Sequence, residues 1–193
     1  MGERMNDNVK PDLRYDNNGT RWFPTEEYKH AILLDFAKTY NLRQFVETGT
    51  HHCWTLDAVY RQFDWSYSIE LGDDYYNSAV EKLGHIINVN LIHGDSSVEL
   101  PRLLKDLNRI PTLFYLDAHF SGGGTVGQNQ LPLQAELRAI FQSGFDGIIV
   151  IDDCVPYWQD GIPEVAAATV AEYPEWQQEI KHGLMRVWRP DWI

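Results

Sequence analysis

The chain has 193 residues, enough for one domain with a sizeable core and no need of disulfide or metal staples. Hydrophobic residues make up 44% of it, and 28 acidic residues against 16 basic ones leave a formal net charge of −12. With no basic stripe in the sequence, that balance argues against a nucleic-acid partner and an anionic membrane surface, and no apolar run approaches a membrane span. The two cysteines, Cys53 and Cys154, have no metal-finger spacing and are too few for a secreted disulfide framework. The polar N-terminal stretch lacks the apolar core of a signal peptide, and Asn6 stands where a myristoylation motif wants Ser or Thr. These features predict a cytoplasmic protein with reduced thiols.

Residues 1 to 23 read as an irregular leader, and 24 to 193 as one indivisible domain. Thr25 is placed to cap a helix with Glu26 and Glu27 in its first turn, and Ala31, Leu34, Phe36, Ala37 and Tyr40 give that helix an apolar face. A short β-rich run, "RQFVET", ends at Gly49, and "TLDAVYRQF" is helical. Next come the strand "WSYSIEL", a helix stopping at Gly84, the strand "VNLIHGD", and a helix in which Pro101 belongs to the first turn or makes a kink. The strand "TLFYLDAH" is followed by a glycine-rich stretch, the helix "LPLQAELRAIFQSG", the strand "GIIVIDD" and the helix "GIPEVAAATVAEYP". Two short strands around a His-Gly turn close the chain. Alternating strands and helices, with strands apolar on both faces, predict a Rossmann-like doubly wound α/β sheet, mostly parallel, with a C-terminal antiparallel hairpin at one edge.

Ligands of open α/β sheets bind outside the carboxyl ends of the strands. In this sequence each strand of the alternating series delivers a carboxylate there: Glu47, then Glu70, Asp95, Asp117, and the pair Asp152 and Asp153. Crowded carboxylates repel one another, so a cationic group or many hydrogen-bond donors must sit among them, which points to a bound ligand, a metal, or both. Glu70 follows Glu47 at about the ~20-residue spacing that suits an acid to hold the two hydroxyls of a ribose. Gly49 lets backbone approach a ligand. The single glycine of "ETGT" falls short of a dinucleotide fingerprint, and Glu47 beside it favours an amine-bearing or cationic ligand over a pyrophosphate. Taken singly, Gly49 reads as a turn glycine and Glu70 as a surface acid. Their matched positions at consecutive strand ends favour the ligand.

The order E-T-G-T, I-E-L, G-D-S, L-D-A-H, I-D-D, with the final hairpin, resembles the class I S-adenosylmethionine-dependent methyltransferases over nearly the whole chain from residue 24. The resemblance implies S-adenosyl-L-methionine as cofactor. Glu47, Thr48, Gly49 and Thr50 would lie near its methionine part, Glu70 at the ribose, Asp95 and Ser96 at the adenine, and Asp117 and His119 facing the methyl donor and acceptor. The sequence departs from the family in its first loop, where "THHCW" stands in place of two further glycines. His51, His52 and Cys53 there would narrow the cofactor pocket, shift the cofactor, or keep it out.

Within that family the pattern is nearest to metal-dependent O-methyltransferases acting on small molecules and sugars. This implies Mg²⁺ or Ca²⁺ on Asp117, Asp152 and Asp153, with His119 as the base that takes the acceptor's proton and the stretch from Ser121 to Gly127 as a lid. The residues alone leave two readings open. The aspartates are metal ligands, or Asp117 and His119 are a hydrogen-bonded pair and Asp152 and Asp153 cap the next helix. Tyr157 and Trp158 could line an acceptor pocket, and Trp176, Trp188 and Trp192 read as core or as contacts between copies in a homo-oligomer. The activity implied is methyl transfer to a hydroxyl of a small molecule. The alternatives are a methyltransferase-fold binding protein without transfer and a metal-dependent hydrolase, which leaves Glu70 and Asp95 unexplained.

Overall fold

The computed structural model describes residues 8–19, 21–118, 132–155 and 161–192. Inside the stretch that reads as an irregular leader, β1 (Leu13–Tyr15) and β2 (Trp22–Pro24) pair as an antiparallel hairpin, Leu13 opposite Pro24. Thr25 then caps α1 (Glu26–Thr39), its side chain accepting from the Tyr28 N–H, with Glu26 and Glu27 in the first turn as the helix dipole favours. The buried stripe of α1 is Tyr28, Lys29, Ile32, Leu33, Phe36 and Ala37, rotated from the face the sequence suggests. This stripe carries a lysine inward.

The remaining elements are β3 (Gln44–Thr48), α2 (Trp54–Val59) with a short 3₁₀ turn, β4 (Trp65–Glu70), α3 (Asp73–Leu83), β5 (Val89–His93), α4 (Ser96–Asp106), β6 (Thr112–Leu116), α5 (Leu133–Ser143), β7 (Gly147–Ile151), α6 (Ile162–Val170), β8 (Gln177–Lys181) and β9 (Leu184–Trp188). Pro101 lies inside α4, past its first turn. Gly144 ends α5 in the left-handed region at φ 72°, as a C-terminal glycine does.

Seven strands form one sheet in the order β5-β4-β3-β6-β7-β9-β8. β3 to β7 run parallel, and β9 enters antiparallel to β7 with β8 outside it. His182 (φ 52°) and Gly183 (φ 81°) make the turn between β8 and β9, both in the left-handed region a tight hairpin requires. The sheet order reverses between β3 and β6, which creates the crevice at their carboxyl ends.

Side chains alternate across the strands. Phe45, Leu113, Tyr115, Ile148, Val150, Leu184 and Trp188 pack with α1, α2 and α3 on one face. Val46, Ile69, Phe114, Leu116, Ile149, Ile151, Met185 and Val187 pack with α4, α5 and α6 on the other. The same period of two sorts the polar residues at the strand ends. Glu47, Ser68, Glu70, Asp117 and Asp152 fall in register with the α1 face, and Thr48 with the α5 face.

Candidate active site

Glu47 is buried on β3, its Oε2 accepting from Ser68 Oγ at 2.6 Å, and Ser68 in turn contacts Thr50 Oγ1 at 2.5 Å. Burial pushes the Glu47 carboxyl up to about 8; Asp117 and Glu70 add to the rise and the Ser68 hydrogen bond opposes it. Such a group favours a cationic neighbour, which would draw out its ionised form.

The loop after β3 is held by backbone. Gly49 donates to Ile69 O at 2.9 Å, and the Asp117 N–H donates to Thr48 O at 3.0 Å. Gly49 has φ 84°, and a Cβ there would lie 2.5 Å from the Asp117 carbonyl oxygen. No other residue fits where the ends of β3 and β6 approach this closely. His51 (φ 46°) and Cys53 (φ 62°) take left-handed conformations in the same loop, where a glycine would be unstrained. The His51 N–H donates to Glu70 Oε2 and the Gly72 N–H to Glu70 Oε1, both at 2.7 Å. The His51 ring packs on His52 and Tyr75 at centroid distances of 4.1 and 4.4 Å, and His52 stacks on Trp54 at 5.0 Å. The bulk of "THHCW" is thus placed as a small aromatic cluster against the start of α3. Cys53 is buried, and burial pushes its thiol up to about 12, so it is a packing residue.

Asp95 caps α4, its Oδ1 accepting from the Ser97 N–H at 2.9 Å and from Ser97 Oγ at 2.6 Å. Beside it, Ser96 is buried, as is Glu136 of α5. Burial pushes Glu136 up to about 7; the Ser96 and Thr48 hydroxyls act downward, and Asp95 and Asp117 upward. Glu136 lines a pocket with Asp117, Ala118, Leu133, Asp152 and Ile162. The sequence does carry a signal for this acid: Glu136 lies in register with Leu133, Leu137 and Ile140, the buried stripe of α5.

At the end of β7 the aspartates expected to hold a metal have partners within the chain. Asp152 is 2% exposed, and its Oδ2 lies 2.7 Å from Lys29 Nζ and accepts from the Tyr115 hydroxyl. Its Oδ1 accepts from the Asp153 N–H at 2.7 Å. Lys29 also pairs with Glu26 at 3.1 Å. Burial alone would lower the Lys29 pKa; Asp152, Asp117 and Glu26 outweigh it and raise it. One cation beside this crowd of acids is therefore the chain's own. Asp153 has φ 56° and its side chain does not join Asp152 and Asp117 in a ligand set: among the described residues no group of three or more His, Cys, Asp and Glu comes together as a metal site. His119, the Ser121–Gly127 stretch, Tyr157 and Trp158 lie outside the described residues.

The strand order, the reversed last strand and the acids at the carboxyl edge define the class I S-adenosylmethionine-dependent methyltransferase fold. Solved structures with this fold include an O-methyltransferase from Bacillus cereus in complex with SAH (TM-score 0.64, 14% identity, covering 86% of this chain and 82% of that one). The O-methyltransferase TomG from Streptomyces achromogenes, involved in tomaymycin synthesis and in complex with SAM, matches with TM-score 0.63 at 14% identity over 86% of this chain and 82% of that one. The SAH-bound methyltransferase PaMTH1 of Podospora anserina matches with TM-score 0.61 at 16% identity over 86% and 79%. No family model and no curated protein matches the sequence. No helix among the described residues is long and apolar enough to cross a membrane.

Proposed function

We propose that the protein transfers a methyl group from S-adenosylmethionine to a hydroxyl of a small molecule. The observation that carries this reading is Glu70. Its carboxylate stands at the end of β4, beside the reversal of sheet order, with each oxygen oriented by one backbone N–H at 2.7 Å. A carboxylate oxygen has two acceptor positions, so each retains one for a ribose hydroxyl. The rest of the donor set agrees. In this reading Glu47 and Asp117 offer negative charge to a sulfonium, and Asp95 and Ser96, after β5, would meet the adenine. The similar fold of proteins solved with SAM or SAH adds support.

When bound, the cofactor supplies a methyl group on a positively charged sulfur. In this reading Glu70 fixes the ribose, and Glu47 and Asp117 orient the sulfonium by attraction. S-adenosylmethionine would give its methyl to the acceptor oxygen and leave as a neutral thioether holding the bond electrons, and the hydroxyl proton would pass to the base that the sequence offers in His119.

The test is calorimetric titration with S-adenosylhomocysteine on the wild type and on Glu70→Gln. Binding by the wild type and weaker binding by the variant are expected. Heat-free titration of the wild type at saturating ligand would sink the reading. A second reading, binding without transfer, draws on the side chains of His51, His52 and Trp54 packed in the loop after β3 where the resemblance expects glycines. It predicts S-adenosylhomocysteine binding with no methyl turnover on any hydroxyl acceptor.

A further inference from the structure

The carboxyl edge gathers acids from every parallel strand, and one ammonium reaches into it. We propose that Lys29 is the built-in cation of the acceptor end of this site: it occupies the ground between Asp152 and Glu26 that a divalent ion on Asp152 would need, so the site excludes such ions and works without one. That the site works without an ion rests on the transferase reading above; the exclusion rests on the placement and charge of Lys29.

The first ground is occupancy. A carboxylate offers about four acceptor positions. On Asp152, Oδ2 receives Lys29 Nζ at 2.7 Å and the Tyr115 hydroxyl, and Oδ1 receives the Asp153 N–H at 2.7 Å. A divalent ion would take one or two oxygens from this carboxylate, and the one position left to give lies on a group that already carries the ammonium. The second ground is charge. An ion entering beside Asp152 would meet a positive group in a buried setting, where like charges repel far more strongly than in water. The third is that Lys29 is held in place. Its side chain is 11% exposed, it stands on the buried stripe of α1, and Glu26 one turn back pairs with it at 3.1 Å. The ammonium stays charged at ordinary pH because Asp152, Asp117 and Glu26 outweigh the effect of burial.

The same placement gives Lys29 a task. A fixed positive charge on Asp152 offsets part of the negative charge gathered at this edge, which is the service a metal ion would otherwise perform. Lys29 is thus a positioning and electrostatic residue supplied by a helix.

Thermal unfolding of the wild type and of Lys29→Met, each in EDTA, in millimolar Mg²⁺ and in millimolar Ca²⁺, tests this. The wild-type midpoint should agree across the three conditions to about 1 °C, and the variant, with its acids uncompensated, should rise by about 3 °C or more with either ion. A metal-dependent rise in the wild type overturns the proposal, and so does a folded Lys29→Met indifferent to metal. Should Lys29→Met fail to fold, Mn²⁺ titration of the wild type and of Lys29→Arg decides: no heat of binding in either is expected, and binding at submillimolar Mn²⁺ in either overturns it. S-adenosylhomocysteine is added to the same wild-type samples. Its failure to shift the midpoint overturns the transferase reading and leaves the metal arms as they stand.

Discussion

Lys29 Nζ meets Asp152 Oδ2 at 2.7 Å, joining the first helix to the end of β7 inside the crevice where the acids converge. Breaking one side of a buried ion pair strands the other charge, so Lys29→Met should cost about 3–5 kcal/mol of stability. Tyr115→Phe removes one donor from the same carboxylate and should cost about 1–2 kcal/mol. Urea unfolding of the two single variants and the double variant measures both, and the double should fall short of the sum because the two donors share one acceptor.

Two buried carboxyls set the pH dependence. Glu47 is raised from 4.5 to about 8 and Glu136 from 4.5 to about 7. The folded state holds these protons more tightly than the unfolded chain. Their contribution is therefore complete below pH ~4.5 and is lost as pH rises through 7 to 8. Unfolding free energy measured across that window should decline, and Glu47→Gln should flatten the decline by a few kcal/mol. A variant with the wild-type slope would show that Glu47 is ionised in the folded state.

Glu70→Gln keeps the shape of the side chain and removes its charge. Charge-assisted hydrogen bonds contribute about 1.5–3 kcal/mol, so affinity for S-adenosylhomocysteine should fall about 10- to 100-fold. The variant retains acceptor capacity on one oxygen only, so one of the two N–H donors, His51 or Gly72, also loses its partner. Calorimetric titration reads the affinity and urea unfolding the stability.

Gly49→Ala should be among the most damaging small substitutions. The new Cβ would sit 2.5 Å from a backbone oxygen at φ 84°, with no flexible side chain to give way. A loss of about 2 kcal/mol or more is expected, read by urea midpoint.

Both cysteines should be silent to a thiol reagent in the native state. Cys53 and Cys154 are buried, and the Cys53 thiol is pushed up to about 12. Labelling of either should track global unfolding in denaturant.

The sheet and its carboxyl edge were legible because strand apolarity and a period of two leave few choices: once "TLFYLDAH" and "GIIVIDD" are strands, Asp117 and Asp152 must stand at their ends. The partners of those acids were not legible in the same way. Lys29 came to light only with the rotation of α1, since Ala31 and Leu34 suggest a face that Ile32 and Leu33 in fact own. Counting acids without that lysine leads to a metal. Glu136 was missed for a related reason, as a charged residue in an amphipathic helix reads as solvent-facing unless its register with Leu133, Leu137 and Ile140 is checked. A charged side chain in phase with an apolar stripe is the signal common to both. The strained His51 and Cys53 backbone had no signal in residue type, because left-handed conformations at such residues follow from the loop's closure on Glu70.

Tyr28, next to Lys29, meets His182 of the last hairpin turn at 2.9 Å across 154 residues of sequence. The two stitches, Tyr28 to His182 and Lys29 to Asp152, both require distant stretches of chain to find each other, and contacts of such span are paid for in loop entropy before they give anything back. Until α1 docks, the acids at the strand ends face one another without their cation. The pairing of Lys29 with Asp152 is therefore expected to form late in folding and to quicken with added salt, which stands in for the missing ammonium by screening; stopped-flow refolding at low and high salt reads it.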